Sequence, residues 1–151
     1  MITIEEFKKN ISNKTRLIGL DLGSKRIGVS ICDERQSIAT PFKTINKTNT
    51  NELINELKII IKDNNIGGII VGNPVNMDGS LGRSAQSVND VASNISQSID
   101  LPVILWDERL STVGAFNLSS LLDVNVSKRV KTIDQNAAAF ILQGAIDFLN
   151  N

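Results

Sequence analysis

Apolar residues recur along this chain first with a period of about two and then with a period of about 3.6, in an order few folds accommodate. Glu5 to Ile11 reads as a short leading helix. Leu17–Leu22, Ile27–Asp33 and Ser37–Ile45 then read as three strands, joined by connections so short that they imply antiparallel pairing. Next, Leu53, Ile54, Leu57, Ile60 and Ile61 share one helical face, and Ile66–Val71 forms a Gly-rich, β-branched strand. Ala85, Val88, Ala92, Ile95 and Ile99 mark a second helix, Pro102–Trp106 a further strand, and Thr112–Leu122 a third helix. Ile133, Ala137, Phe140, Ile141, Ala145, Phe148 and Leu149 mark the last helix. Three antiparallel strands followed by helix-linked crossover strands specify an α/β fold, a mixed five-stranded sheet flanked by helices.

At 151 residues the chain is expected to form one domain over residues 16–151, preceded by an N-terminal helical extension over residues 1–15. It has no apolar run of about 18 residues, and Glu5 and Glu6 stand where a signal peptide carries basic residues. A soluble cytoplasmic protein with no membrane partner is expected. The absence of histidine and the single cysteine, Cys32, exclude histidine-assisted serine or cysteine nucleophiles, histidine general bases and ordinary zinc sites. The strong ligands left are carboxylates, and the metal they suit is a hard divalent ion such as Mg²⁺ or Mn²⁺. A formal net charge of zero requires any contact with nucleic acid to be local.

Three acids fall at the ends of elements. Asp21 closes the run Leu17-Ile18-Gly19-Leu20-Asp21, where a carboxylate is costly to desolvate unless a cation or donor meets it; a turn that merely satisfies the acid with backbone N–H groups is the plain alternative. Asp107-Glu108-Arg109 follows the strand Pro102–Trp106, at the kind of strand end that borders ligand crevices in open sheets, although solvated acid–arginine pairs are common. Asp134 lies between Thr132 and Gln135, whose spacing matches a capping box and predicts a first helical turn. The run Ala137-Ala138-Ala139 behind it would let that helix approach the sheet closely. The loop Val71-Gly72-Asn73-Pro74-Val75-Asn76-Met77-Asp78-Gly79-Ser80 is either a seat for a phosphate or a plain connector.

Taken together, Gly19-Leu20-Asp21-Leu22-Gly23-Ser24-Lys25-Arg26-Ile27-Gly28-Val29, Val71-Gly72-Asn73-Pro74 with Met77-Asp78-Gly79-Ser80, Asp107-Glu108-Arg109-Leu110-Ser111-Thr112, and Asp134 followed by Ala137-Ala138 and Ile141-Leu142-Gln143 resemble the YqgF/RuvX family in order and spacing. Asn73 stands where that family often has Leu, and Leu22 where it often has an aromatic residue. The resemblance implies an RNase H-like fold, similar to that of the Holliday-junction resolvase RuvC, over residues 16–151. It also implies a hydrolase acting on phosphodiester bonds, a nuclease associated with processing of pre-16S ribosomal RNA. By that resemblance Asp21, Glu108 and Asp134 are the catalytic, metal-holding acids, with Asp107 the rival of Glu108, and Mg²⁺ or Mn²⁺ is the cofactor. Lys25, Arg26, Arg83, Arg109 and Lys131 are the candidates to hold phosphates. The implied partners are structured RNA, branched DNA or ribosomal precursor particles, bound by a monomer or homodimer. Two alternatives remain open. Asp21-Leu22-Gly23-Ser24 also resembles the first phosphate motif of the sugar-kinase, actin and heat-shock-chaperone ATPases, and a non-catalytic ribosome-assembly factor fits the neutral charge.

Overall fold

Leu17, Ile18 and Leu20 are all fully buried, so the strand that carries them has to lie inside the sheet with both faces covered. In the computed structural model, which describes residues 2–23, 25–46, 49–73, 83–107 and 126–150, this strand, β1 (Arg16–Leu22), is the central one. It pairs antiparallel with β2 (Arg26–Cys32), which in turn pairs antiparallel with β3 (Ala39–Asn46). On its other side β1 pairs parallel with β4 (Ile66–Asn73), and β4 with β5 (Val103–Asp107). The result is the mixed five-stranded sheet, in the order β3-β2-β1-β4-β5.

The pleat sends alternate side chains into two separate cores. Ile18, Leu20, Ile27, Val29, Ile69, Val71 and Val103 pack beneath α2 (Thr50–Asn64) and α3 (Arg83–Ser98). Leu17, Ile70, Ile104 and Trp106 pack on the opposite face with α1 (Ile4–Asn10) and α4 (Val126–Leu149). The leading segment is therefore seated on the sheet: Phe7 is fully buried, and a Cβ on Gly68 would come within 2.7 Å of its ring. Full burial of such a ring contributes about 1.5–3 kcal/mol.

Several boundaries differ from the sequence-based expectation for identifiable reasons. β3 starts at Ala39 rather than Ser37 because Asp33 holds the preceding turn, its Oδ1 accepting from the N–H groups of Ser37 (2.8 Å) and Ile38 (3.0 Å). β4 runs on to Asn73 and β5 to Asp107, where the two residues pair. The largest correction concerns the last helix. α4 begins at Val126, so Asp134 lies more than two turns inside it and not in a first turn capped by Thr132. The stretch 126–133 contains no Gly or Pro, and Lys128, Arg129 and Lys131 propagate a helix well, so a local capping pattern did not interrupt it. The expected helix Thr112–Leu122 lies outside the described residues; of the expected loop Val71–Ser80, residues 71–73 belong to β4 and 74–80 lie outside the described residues.

Candidate functional site

Because β1, β4 and β5 are parallel, their carboxyl ends meet at one rim of the sheet, the position where open α/β sheets receive ligands. Asp21 is the penultimate residue of β1 and is half-buried. Alternation puts it on the same face as Leu17 and Gly19, the face covered by α4. Its partner across β2 is Gly28. On β4 the register Leu20↔Val71 makes Gly72 its neighbour one step on. The strand positions flanking Asp21 on this face are thus both glycines.

The helix that carries Asp134 is drawn onto the same strand. A Cβ on Gly19 would lie 2.6 Å from Ser30 Oγ, 2.8 Å from Leu142 Cβ and 2.9 Å from the Ala138 carbonyl oxygen, so only glycine permits this approach. The Ser30 hydroxyl donates to the Ala138 carbonyl at 2.7 Å and lies 3.3 Å from the Gly19 carbonyl. The carboxy-terminal half of α4 is anchored over the β2–β3 connection: Gln143 Oε1 accepts from the Ala39 N–H at 2.8 Å, its Nε2 donates to the Ser37 carbonyl at 3.0 Å, and Asn150 Nδ2 donates to the Gln36 carbonyl at 3.0 Å. That connection lies at the amino end of β1. α4 therefore runs opposite to β1, and its backbone at position 134, one turn before Ala138, lies on the Asp21 side of the Gly19 seat.

The other expected residues divide into three groups. Lys25 and Arg26 are exposed in the β1–β2 turn at this same rim, a turn closed by the Gly23 N–H donating to the Arg26 carbonyl at 3.0 Å. Asp107 shares the side of Val103 and Leu105, opposite to the face of Trp106 and α4, and its neighbour in register is Asn73. Asn73 Oδ1 is buried without a hydrogen-bond partner. Glu108 and Arg109 lie outside the described residues, and of Arg83, Lys131 and Asp134 only the helical backbone is described. Among the described residues no three His, Cys, Asp or Glu side chains gather as a metal site; that set contains neither Glu108 nor the Asp134 side chain. Ser30 was not singled out from the sequence. The signal available for it was the alternation of small residues Gly28 and Ser30 facing Gly19 and Asp21 across the β1–β2 pair.

The donors at hand fit a hard cation. Asp21 offers carboxylate oxygens, whereas the only thiol, Cys32, is buried and already accepts from the Leu17 N–H at 3.1 Å at the opposite end of β1.

This architecture is an RNase H-like fold. The chain superposes on Thermus thermophilus RuvC in complex with a Holliday junction substrate with a TM-score of 0.57 at 10% identity, covering 87% of this chain and 93% of that one. On the yeast mitochondrial Holliday junction resolvase Ydc2 the TM-score is 0.55 at 13% identity, covering 97% and 84%. Within that class, the chain belongs to the RuvX family, described as Holliday junction resolvase, which matches residues 15–148. A curated relative from Pelagibacter ubique is 94% identical over 151 residues, all of both chains, and one from Cereibacter sphaeroides is 45% identical over 148 residues, 98% of this chain and 92% of its own. Both carry the name "Putative pre-16S rRNA nuclease". Among the described residues no helix is long and apolar enough to cross a membrane.

Proposed function

We propose that this protein is a metal-dependent nuclease that hydrolyses phosphodiester bonds in structured nucleic acid, with precursor 16S ribosomal RNA as its substrate, and that Asp21, Glu108 and Asp134 hold the metal. The observation that carries this reading is the seating of α4 on Gly19, which brings the backbone of the Asp134 helix against the strand that carries Asp21. The names of the curated relatives support the substrate. Glu108 is preferred to Asp107 because the pleat assigns Asp107 to the face away from Asp21. Bound Mg²⁺ or Mn²⁺ supplies an activated water and neutralises charge on the phosphoryl group. The carboxylates fix where the cation sits, and Lys25 and Arg26 at the rim, with Arg83, Arg109 and Lys131, hold the flanking phosphates. Since the net charge is zero, affinity rests on these local contacts, and its salt dependence scales with their number.

The test is cleavage of a precursor 16S RNA fragment and of a four-way DNA junction in Mg²⁺ or Mn²⁺. Asp21→Asn, Glu108→Gln and Asp134→Asn are each expected to lower the rate more than about 100-fold, since loss of even an outer-shell partner costs about 10–100-fold. Asp107→Asn is expected to leave most of it. Preference for the junction would move the substrate to DNA, and undiminished cleavage by Asp21→Asn and Asp134→Asn would overturn the assignment.

A further inference from the structure

We propose that Ser30 is a positioning residue for the metal site, a hydroxyl that sets where the Asp134 helix stops along the Asp21 strand. The inference rests on the reading that Asp21 and Asp134 share a cation. Ser30 is fully buried and is the buried polar side chain among the described residues. A buried hydroxyl is unfavourable unless it makes a specific bond, and alanine would fill an apolar seat here more simply. Ser30 makes that bond to the Ala138 carbonyl, 108 residues away in the chain, and lies within reach of the Gly19 carbonyl as well.

The geometry explains why contact alone is not enough. Gly19, Ala138 and Leu142 meet as small or smooth surfaces that fix how near α4 comes to β1. Dispersion contacts between such surfaces resist separation far more than sliding. A directional hydrogen bond from a β-strand to one chosen carbonyl of the helix resists sliding and rotation. Along β1, Gly19 is two residues from Asp21; along α4, Ala138 is one turn from position 134. An error of alignment at the Ser30 bond is thus passed almost undiluted to the gap between the two acids, and cation sites tolerate little such error. Ser30 touches neither metal nor substrate in this scheme; it acts through the strand and the helix.

The experiment compares Mn²⁺ binding by calorimetry, and the rise in melting temperature caused by Mn²⁺, in the full chain and in the Ser30→Ala, Ser30→Cys and Asp21→Asn variants under reducing conditions. A role confined to core stability lowers the melting temperature without Mn²⁺ and leaves the Mn²⁺ dissociation constant where it was. The positioning role raises that constant in Ser30→Ala on the order of tenfold, comparable with loss of an outer-shell partner. Ser30→Cys, which keeps a weak donor and carries the test if the alanine variant does not fold, should give an intermediate value. In cleavage assays the Mn²⁺ concentration needed for half-maximal rate should rise more than the maximal rate falls. Unchanged Mn²⁺ affinity in folded Ser30 variants, with binding still abolished in Asp21→Asn, would overturn the role of Ser30 alone. Mn²⁺ binding that Asp21→Asn does not diminish would overturn the shared-cation reading, and the positioning role with it.

Discussion

Replacing Gly19 by alanine is the sharpest test of the packing that creates the rim. The new Cβ would stand 2.6 Å from Ser30 Oγ, 2.8 Å from Leu142 Cβ and 2.9 Å from the Ala138 carbonyl oxygen. Carbon atoms settle at about 3.5–4.0 Å, so α4 has to lift from β1 on the order of 1 Å, enough to forfeit a quarter to a half of each contact well along the seam. Leu142 and Ala138 are fully buried, and neither a Cβ nor a carbonyl oxygen can swing aside by a rotamer change. That places the cost at the upper end of the overpacking range, about 3 kcal/mol. Losing the Ser30 hydrogen bond adds about 1 kcal/mol. Urea unfolding followed by fluorescence reads this directly, because Trp106 is the one tryptophan, is 5% exposed, and packs edge-on against Phe148 of α4 with ring centroids 5.6 Å apart. With a slope of about 1–3 kcal/mol per molar urea, the midpoint should fall by more than about 1 M. A stability within about 0.5 kcal/mol of the parent, the range of an ordinary surface change, would refute the claim that glycine is required here.

Asp33 is held well below its ordinary value of 3.8, to about 2, by the hydrogen bonds it accepts from the backbone of Ile38 and Ser37. A depressed carboxylate stabilises the fold above its unfolded pKa, so this contribution should be intact above pH 4, decline as pH falls from about 3.8 towards 2, and be missing from an Asp33→Asn variant in a comparison of acid-unfolding curves. Asn73→Leu, which removes a buried acceptor without a partner, should raise the melting temperature of the free protein, by about 1–3 kcal/mol in stability; a decrease would show that Oδ1 is satisfied in solution. The Cys32 thiol, pushed up by burial, should react with a thiol reagent only at the rate at which the native fold opens, whereas rapid labelling of the native protein would contradict its burial.

The strands were legible because both signals for them are local. Alternating apolar residues and the tight turn at Gly23 defined β1 and β2, and the short connection to β3 gave its direction. Where a polar side chain competed with the ladder, legibility failed: Asp33 took the N–H groups of Ser37 and Ile38 and delayed β3. The start of α4 was missed for the opposite reason, since Thr132 and Gln135 have capping geometry in sequence but no break precedes them to make a cap necessary. At the site, Asp21 was visible as an acid ending an apolar run. Ser30 was not, because the meaning of a serine in a strand depends on a carbonyl 108 residues further on, which no window of sequence contains.

The register slip between Val29 and Ser30 leaves Phe42 without a register partner next to Pro41, on a strand that has no neighbour on its outer side among the described elements. Proline has no N–H to give in any direction, and the slip interrupts the even spacing that a visiting strand would have to match. A second molecule seeking to lengthen the sheet past β3 therefore meets a broken comb of donors. Where no described element covers that border, the irregularity itself disfavours stacking of copies strand upon strand.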